Sequence, residues 1–159
     1  MFRNIPIVLS AEEILDQSFH KTKKVIITDK DPFYKKKKAI ISKTEKFSLN
    51  IITILEKYVK QFPSIDNLSS FYQEIIDIKI NVDKLKKSLG AINWAQKTCK
   101  SIYFKQSRFL KRSKNIGFIV QKQKEIYGRL SSLLNQINKD HKTLSDAQKI
   151  LKIFPDIQN

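Results

Sequence analysis

Along this chain apolar residues return every three or four positions rather than every second one, and they do so over most of its length. The first run opens at "LSAEEI". Ser10 can cap a helix there, Glu13 three residues later completes a capping box, and Leu9 with Ile14 forms a hydrophobic staple. This helix is expected to reach about Lys24. Asp31-Pro32 starts a second helix, with Asp31 as N-cap and Pro32 in the first position. From there Phe33, Ile40, Thr44, Phe47, Ile51, Ile54, Leu55, Tyr58 and Phe62 keep helical step until Pro63. A shorter third helix begins near Asn67 and is expected to bury Leu68, Phe71, Tyr72, Ile75 and Ile76. The fourth runs from Val82 to Arg112, with Leu85, Leu89, Ile92, Cys99, Tyr103, Gln106 and Leu110 on its seam. After Lys114 a fifth aligns Ile119, Ile126, Leu130, Leu134, Ile137, His141, Leu144, Leu151 and Phe154. Thr143 or Ser145 could cap a separate terminal helix, but the unbroken step favours one continuous helix. Met1 to Leu9, with its Ile-Pro step, is predicted to be an extended strap.

Helices of about 30 residues are more than twice the usual length and must pack lengthwise on one another. The predicted fold is therefore all-α, an elongated antiparallel bundle of about five helices, several of them very long. The 159 residues are 41% hydrophobic, enough for one domain with a real core. With 3 glycines and 4 prolines the chain lacks the turn punctuation of an all-β or doubly wound fold. No apolar run approaches about 18 residues, and the opening "MFRNIPIVLSAEE" turns acidic where a signal peptide would stay apolar. A soluble, non-secreted protein without a membrane partner is expected.

Catalytic signatures are missing: there is no GxxxxGK[ST], HExxH or GxSxG, and no Gly-rich phosphate loop. Cys99 is the single cysteine and His20 and His141 the only histidines, so no disulfide or Cys/His zinc site can be assembled. Cys99 is read as a small buried apolar side chain rather than a nucleophile.

Charge changes the picture. Lys and Arg number 31 against 15 acids, a net charge of +16, which points to a polyanionic partner. The excess is uneven. Lys97 to Arg129 holds ten basic residues and one acid, Glu125, and His20 to Lys46 ten basic residues and three acids. Phe47 to Asp83 holds three bases and five acids, a net of −2. On a helical wheel, Lys86, Gly90, Asn93, Lys97, Lys100, Phe104, Arg108 and Lys111 fall within about 40° of one line, roughly opposite the seam of the fourth helix, and Arg112 follows them in sequence as a further candidate. Gly90 faces away from the seam, where a glycine weakens a helix by about 1 kcal/mol without tightening the core. Lys124, Gly128 and Arg129, with Gly117, repeat the pattern more weakly on the fifth helix. These residues are the candidate contacts to a polyanion, together with Lys35 and Lys36 of the run "FYKKKKAI". The bland alternative is a solvated face with tolerated glycines. Trp94 and Phe104, by residue type, are more often core than base-stacking platforms.

Four phrases together, "FRNIPIVLSAEEILD", "FPSIDNLSSFYQEIID", "DKLKKSLGAINWA" and "YGRLSSLL", resemble the N-terminal helical domain of the nucleolar GTP-binding proteins, the Nog branch of the Obg-related GTPases. The resemblance covers the whole chain, and "MFRNIP" is more similar to archaeal members. It implies an rRNA-docking domain, 1–159, acting in assembly of the large ribosomal subunit. A G domain is expected after Asn159, and with it the GTP and magnesium sites, so no cofactor and no GTPase residue is assigned to this chain. The echo of "KQFPSIDN" in "KIFPDIQN" then reads as a helix stop used twice, the second just before that G domain. Implied partners are large-subunit rRNA within a pre-ribosomal particle, the G domain and ribosomal proteins. A monomer is expected, cytoplasmic if archaeal. The alternative reading is a helical platform that docks ribosomal proteins or assembly factors.

Overall fold

A computed structural model describes residues 4–154. Six α-helices follow one another: α1 (Ala11–Thr22), α2 (Pro32–Gln61), α3 (Ser70–Lys79), α4 (Val82–Arg112), α5 (Ile116–Gln136) and α6 (Asn138–Lys152). A 3-10 turn, Ile65–Asn67, leads into α3. Local chemistry sets most helix starts. Ser10 Oγ accepts from the Glu13 amide while the Ser10 amide donates to Glu13 Oε1, closing the capping box. Asp31 caps α2 by accepting from the amides of Phe33 and Tyr34 at 2.8 and 3.1 Å, with Pro32 first in the helix. Asn115 accepts from the Phe118 amide to open α5. Ile80 and Asn81 turn the chain from α3 into α4, and the residue with positive φ is Asn81. It sits at φ 78°, where asparagine is tolerated, and its side chain caps the amides of Asp83 and Lys84.

The spine of the bundle is α2 lying antiparallel to α4, each about 45 Å long at 1.5 Å per residue. Lys37 near the start of α2 meets Lys111 and Ser113 at the end of α4, and Asp66 just beyond α2 meets Lys86 near the start of α4. α5 runs back along both: Gln106 meets Lys122 across α4 and α5, and Phe47 of α2 lies 4.3 Å from Tyr127 of α5 between ring centroids. α1 packs antiparallel on α2, Asn50 donating to Ser18 Oγ at 2.8 Å and Phe19 resting on Phe47. Between them Phe47, Ile51, Leu55, Ile92, Cys99, Ile119, Ile126 and Leu130 form the sealed interior. Residues 4–9 have no regular structure. Their Ile5 and Val8 are buried, and the Leu9 amide donates to Tyr58 Oη at 2.9 Å.

The fold class stands as predicted; three details differ. The fifth helix is two: α5 stops at Gln136, and Ile137, at ψ 16°, breaks the step before α6. Neither Thr143 nor Ser145 caps α6. Instead Asn138 reaches sideways, its Oδ1 accepting from the Ala11 amide at the start of α1, while Asp140 accepts from Ser88 on α4. Second, α3 begins at Ser70, capped by Ser69, later than Asn67. Third, Phe71 is not core; it is 54% exposed. A helix this short packs on one side only, and Tyr72 and Ile76 occupy that side. The second Phe-Pro stop runs into residues outside those described, as do the first three of the strap; α6 itself ends at Lys152.

Candidate nucleic-acid interface

The two basic clusters of the sequence meet at one end of the bundle. Lys37 Nζ donates to the backbone carbonyls of Lys111 and Ser113 at 2.7 and 2.8 Å. These are carbonyls that the end of α4 leaves without helical partners, at the negative pole of its dipole. The lysine run at the start of α2 therefore lies beside Lys111, Arg112 and Lys114. Of that run Lys38 pairs with Asp29, whose carboxyl the lysine holds below its usual range, whereas Lys35 and Lys36 are exposed and pair with nothing among the described residues. Lys21, Lys24 and Lys46, with Glu45, line an open groove of about 460 Å³ between α1 and α2.

On α4 the predicted stripe lies on a flank. Its line falls about 120° from the buried face of Leu85, Ile92, Cys99 and Leu110, turned toward α2. Lys100 pairs there with Glu56 at 2.6 Å and Lys86 with Asp66 beyond it. Exposed pairs of this kind are worth under about 1 kcal/mol, so a polyanion can displace them, but at rest these two lysines are partly neutralised. Lys97, Arg108 and Arg112 are exposed and unpaired among the described residues, as are Lys124 and Arg129 on α5. The stripe is also spread along the axis. Lys86, Gly90 and Asn93 sit toward the far end, where Ser88 meets Asp140, and Asn93 is half-buried and accepts from Gln96. Gly90 and Gly128 face open space, with nothing within 4 Å of where a Cβ would stand, while at Gly117 the Asn115 cap lies 3.2 Å away. The fold itself thus makes no demand for glycine at 90 or 128.

Directly opposite the buried face of α4 stand Lys105, Arg108 and Arg112, with Trp94 further along. Contrary to the expectation from residue type, both Trp94 and Phe104 are about half exposed. The sequence reading missed Lys105, Phe109, Phe118 and Lys122. The ammonium of Lys122 stands over the Phe109 ring, 4.8 Å from its centroid, and 5.6 Å from that of Phe118, held by Gln106 and Glu125 at 3.2 Å each. A wheel centred on the antipode of the apolar seam, instead of on the densest polar line, would have found Lys105.

The remaining titratable groups are inward. Burial pushes the Cys99 thiol up to about 12, leaving it protonated and inert at neutral pH. His141 is 1% exposed, and neither ring nitrogen meets a hydrogen-bond partner among the described residues. Burial drives its pKa down to about 4, against weaker upward pulls from Asp140 and the Leu9 backbone. No helix among the described residues is long and apolar enough to cross a membrane.

Comparison with known proteins adds the context. The sequence model of the NOG1 N-terminal helical domain matches residues 2–158. An uncharacterized protein of Methanocaldococcus jannaschii is 24% identical over 97% of the chain, which covers 45% of that protein. Nucleolar GTP-binding protein 1 of Drosophila melanogaster is 23% identical and that of Kluyveromyces lactis 21%, each over 98% of the chain. The chain spans about a quarter of the length of these two.

Proposed function

The chain belongs to the family of NOG1 N-terminal helical domains, and on that premise we propose that it is the rRNA-docking module of a GTP-binding protein that assembles the large ribosomal subunit. One observation supports the reading: the Lys37 bridge to Lys111 and Ser113 sets the lysine run at the start of α2 beside the basic end of α4. A rod with exposed cations from two helices side by side at one tip suits gripping phosphates on folded RNA, a contact that positions without reading sequence. The nucleotide switch belongs to a G domain of the same polypeptide. The present chain, with no phosphate loop in its sequence, is expected to take up no GTP in calorimetry with magnesium.

The test is salt dependence. Replacing Lys35, Lys36, Arg108 and Arg112 by Ala should flatten the slope of log K against log salt by roughly 3 units for a structured rRNA fragment, at about 0.7 to 0.9 per phosphate lost. Quenching of Trp94, the only tryptophan and half exposed on α4, reports the binding. An unchanged slope would move the RNA face to the groove of Lys21, Lys24 and Lys46.

A second reading, a protein-docking platform, is favoured by the opposite end. There Phe71, Ile78 and Ile153 are exposed, and Phe154 stacks on Tyr72. The G domain is the partner this surface suits. Joined to the chain, it should lose melting cooperativity with this domain when Phe71 and Ile78 become Ser.

A further inference from the structure

We infer that the basic end takes an RNA with an unstacked base, a loop or a bulge, and seats that base against the exposed rings of Phe104, Phe109 or Phe118. The inference rests on the rRNA reading above and narrows its substrate.

The observations are three. Exposed aromatic side chains gather at the basic end. Tyr34, Phe104, Phe109 and Phe118 stand among the basic residues where α2 begins and α4 meets α5, with Ile26 the one exposed aliphatic leading into α2, whereas the other end exposes Ile7, Ile78 and Ile153 and a single aromatic, Phe71. Aliphatic side chains would serve equally for burial; only aromatic ones offer a flat π face, the surface on which a base stacks. Next, the rings are backed. Lys122 covers Phe109 and Phe118 from within, pinned by Gln106 and Glu125, and Phe104 leans on Tyr103 at 5.2 Å, yet the three remain 52%, 48% and 40% exposed in the order Phe104, Phe109, Phe118. Each ring thus has a fixed neighbour against it and keeps about half of its surface in solvent. Finally, on α4 the cations stand between the aromatics: Lys105, Arg108 and Arg112 project outward, with Phe104 on the flank toward α2 and Phe109 on the flank toward α5. A strand whose phosphates follow these three would bring an unpaired base over a ring on either side.

Charge complementarity selects the occupant. An acidic protein segment would satisfy the cations but has no reason to need four exposed rings around them. A continuous A-form duplex would satisfy the cations too, but keeps its base faces stacked inside, out of reach of any of the rings.

Two RNAs of equal length, and so equal phosphate count, separate the possibilities: a continuous duplex and a bulged stem-loop carrying 2-aminopurine at the unpaired position. Anisotropy should show the stem-loop bound roughly 5- to 150-fold more tightly, the range for stacking one base, with a change in 2-aminopurine emission. Phe104→Leu, Phe109→Leu and Phe118→Leu combined should abolish that preference and leave duplex affinity and salt slope as they were. Circular dichroism checks that the surface substitutions keep the fold. Equal affinity of the unaltered chain for both RNAs, or a preference that survives the triple change, overturns the inference while the phosphate-gripping reading stands. Binding to neither RNA overturns both.

Discussion

Where α2 begins, α4 stops and α5 starts, the surface is cationic and rich in exposed rings; where α2 stops, α3 turns back and α6 finishes, it is mixed in charge and mostly aliphatic, with Phe71 its one exposed ring. Both ends are made by the same long helices, so the difference owes nothing to fold class. It comes from how each end terminates its helices. The first closes tightly, with residues 113–115 between α4 and α5 and a lysine from α2 satisfying the last carbonyls of α4. The second needs a 3-10 turn, the short α3, the positive φ of Asn81 and the break at Ile137 to close, and it leaves Phe71 and Ile78 uncovered. In a long bundle, side chains at the tips are released from packing and can be chosen for a partner.

The contrast can be broken most sharply within α3. Tyr72→Ala should cost roughly 3 to 5 kcal/mol in denaturant unfolding, as for a buried aromatic, and its neighbour Phe71→Ala no more than about 0.5 kcal/mol. Comparable losses from the two would mean that Phe71 is packed after all. Acid should act next, through His141. Its folded pKa, near 4, lies below the unfolded value of 6.5, so the unfolded chain takes the proton first. Stability is then full above about pH 6.5, declines as pH falls toward 4, and has lost roughly 3 kcal/mol by the bottom of that window. His141→Phe should flatten the pH profile of melting over that range. Third, Lys105→Glu with Arg112→Glu should weaken RNA binding roughly a hundredfold, about 2.7 kcal/mol. Lys60→Glu with Lys79→Glu, an identical change of net charge at the other end, should leave affinity within about threefold. Equal losses would make the attraction one of net charge and not of place. The smallest effect is expected from Glu56→Gln, which frees Lys100 and should tighten RNA binding by under about 1 kcal/mol.

The sequence was most legible where one rule acts locally. Ser10 with Glu13, Asp31 with Pro32, and the apolar step of α2 and α4 each needed only neighbours a turn away. It was least legible where a partner distant in sequence decides. The break at Ile137 has no Pro or Gly to announce it; its companions are Ala11 and Ser88, far off along the chain. Phe71 and Tyr72 are adjacent aromatics that any single-helix pattern treats alike until α4 takes one side. For the candidate site, the excess of charge was visible. That its two clusters meet, and that Lys86 and Lys100 are already paired, depended on how α2 crosses α4.

The opening of α2 has a further consequence. Its first turn contains no acid, and Lys35 to Lys38 follow at the positive pole of the helix dipole with only the Asp31 cap and Asp29 against them. The helix is therefore held least firmly at its own beginning, and backbone amides 36–41 should exchange with deuterium faster than those in the middle of α2. A polyanion lying across this pole would offset both the dipole and the lysines. Those same amides should then show the largest slowing of exchange on binding, recording contact in the backbone of a segment whose side chains alone touch the ligand.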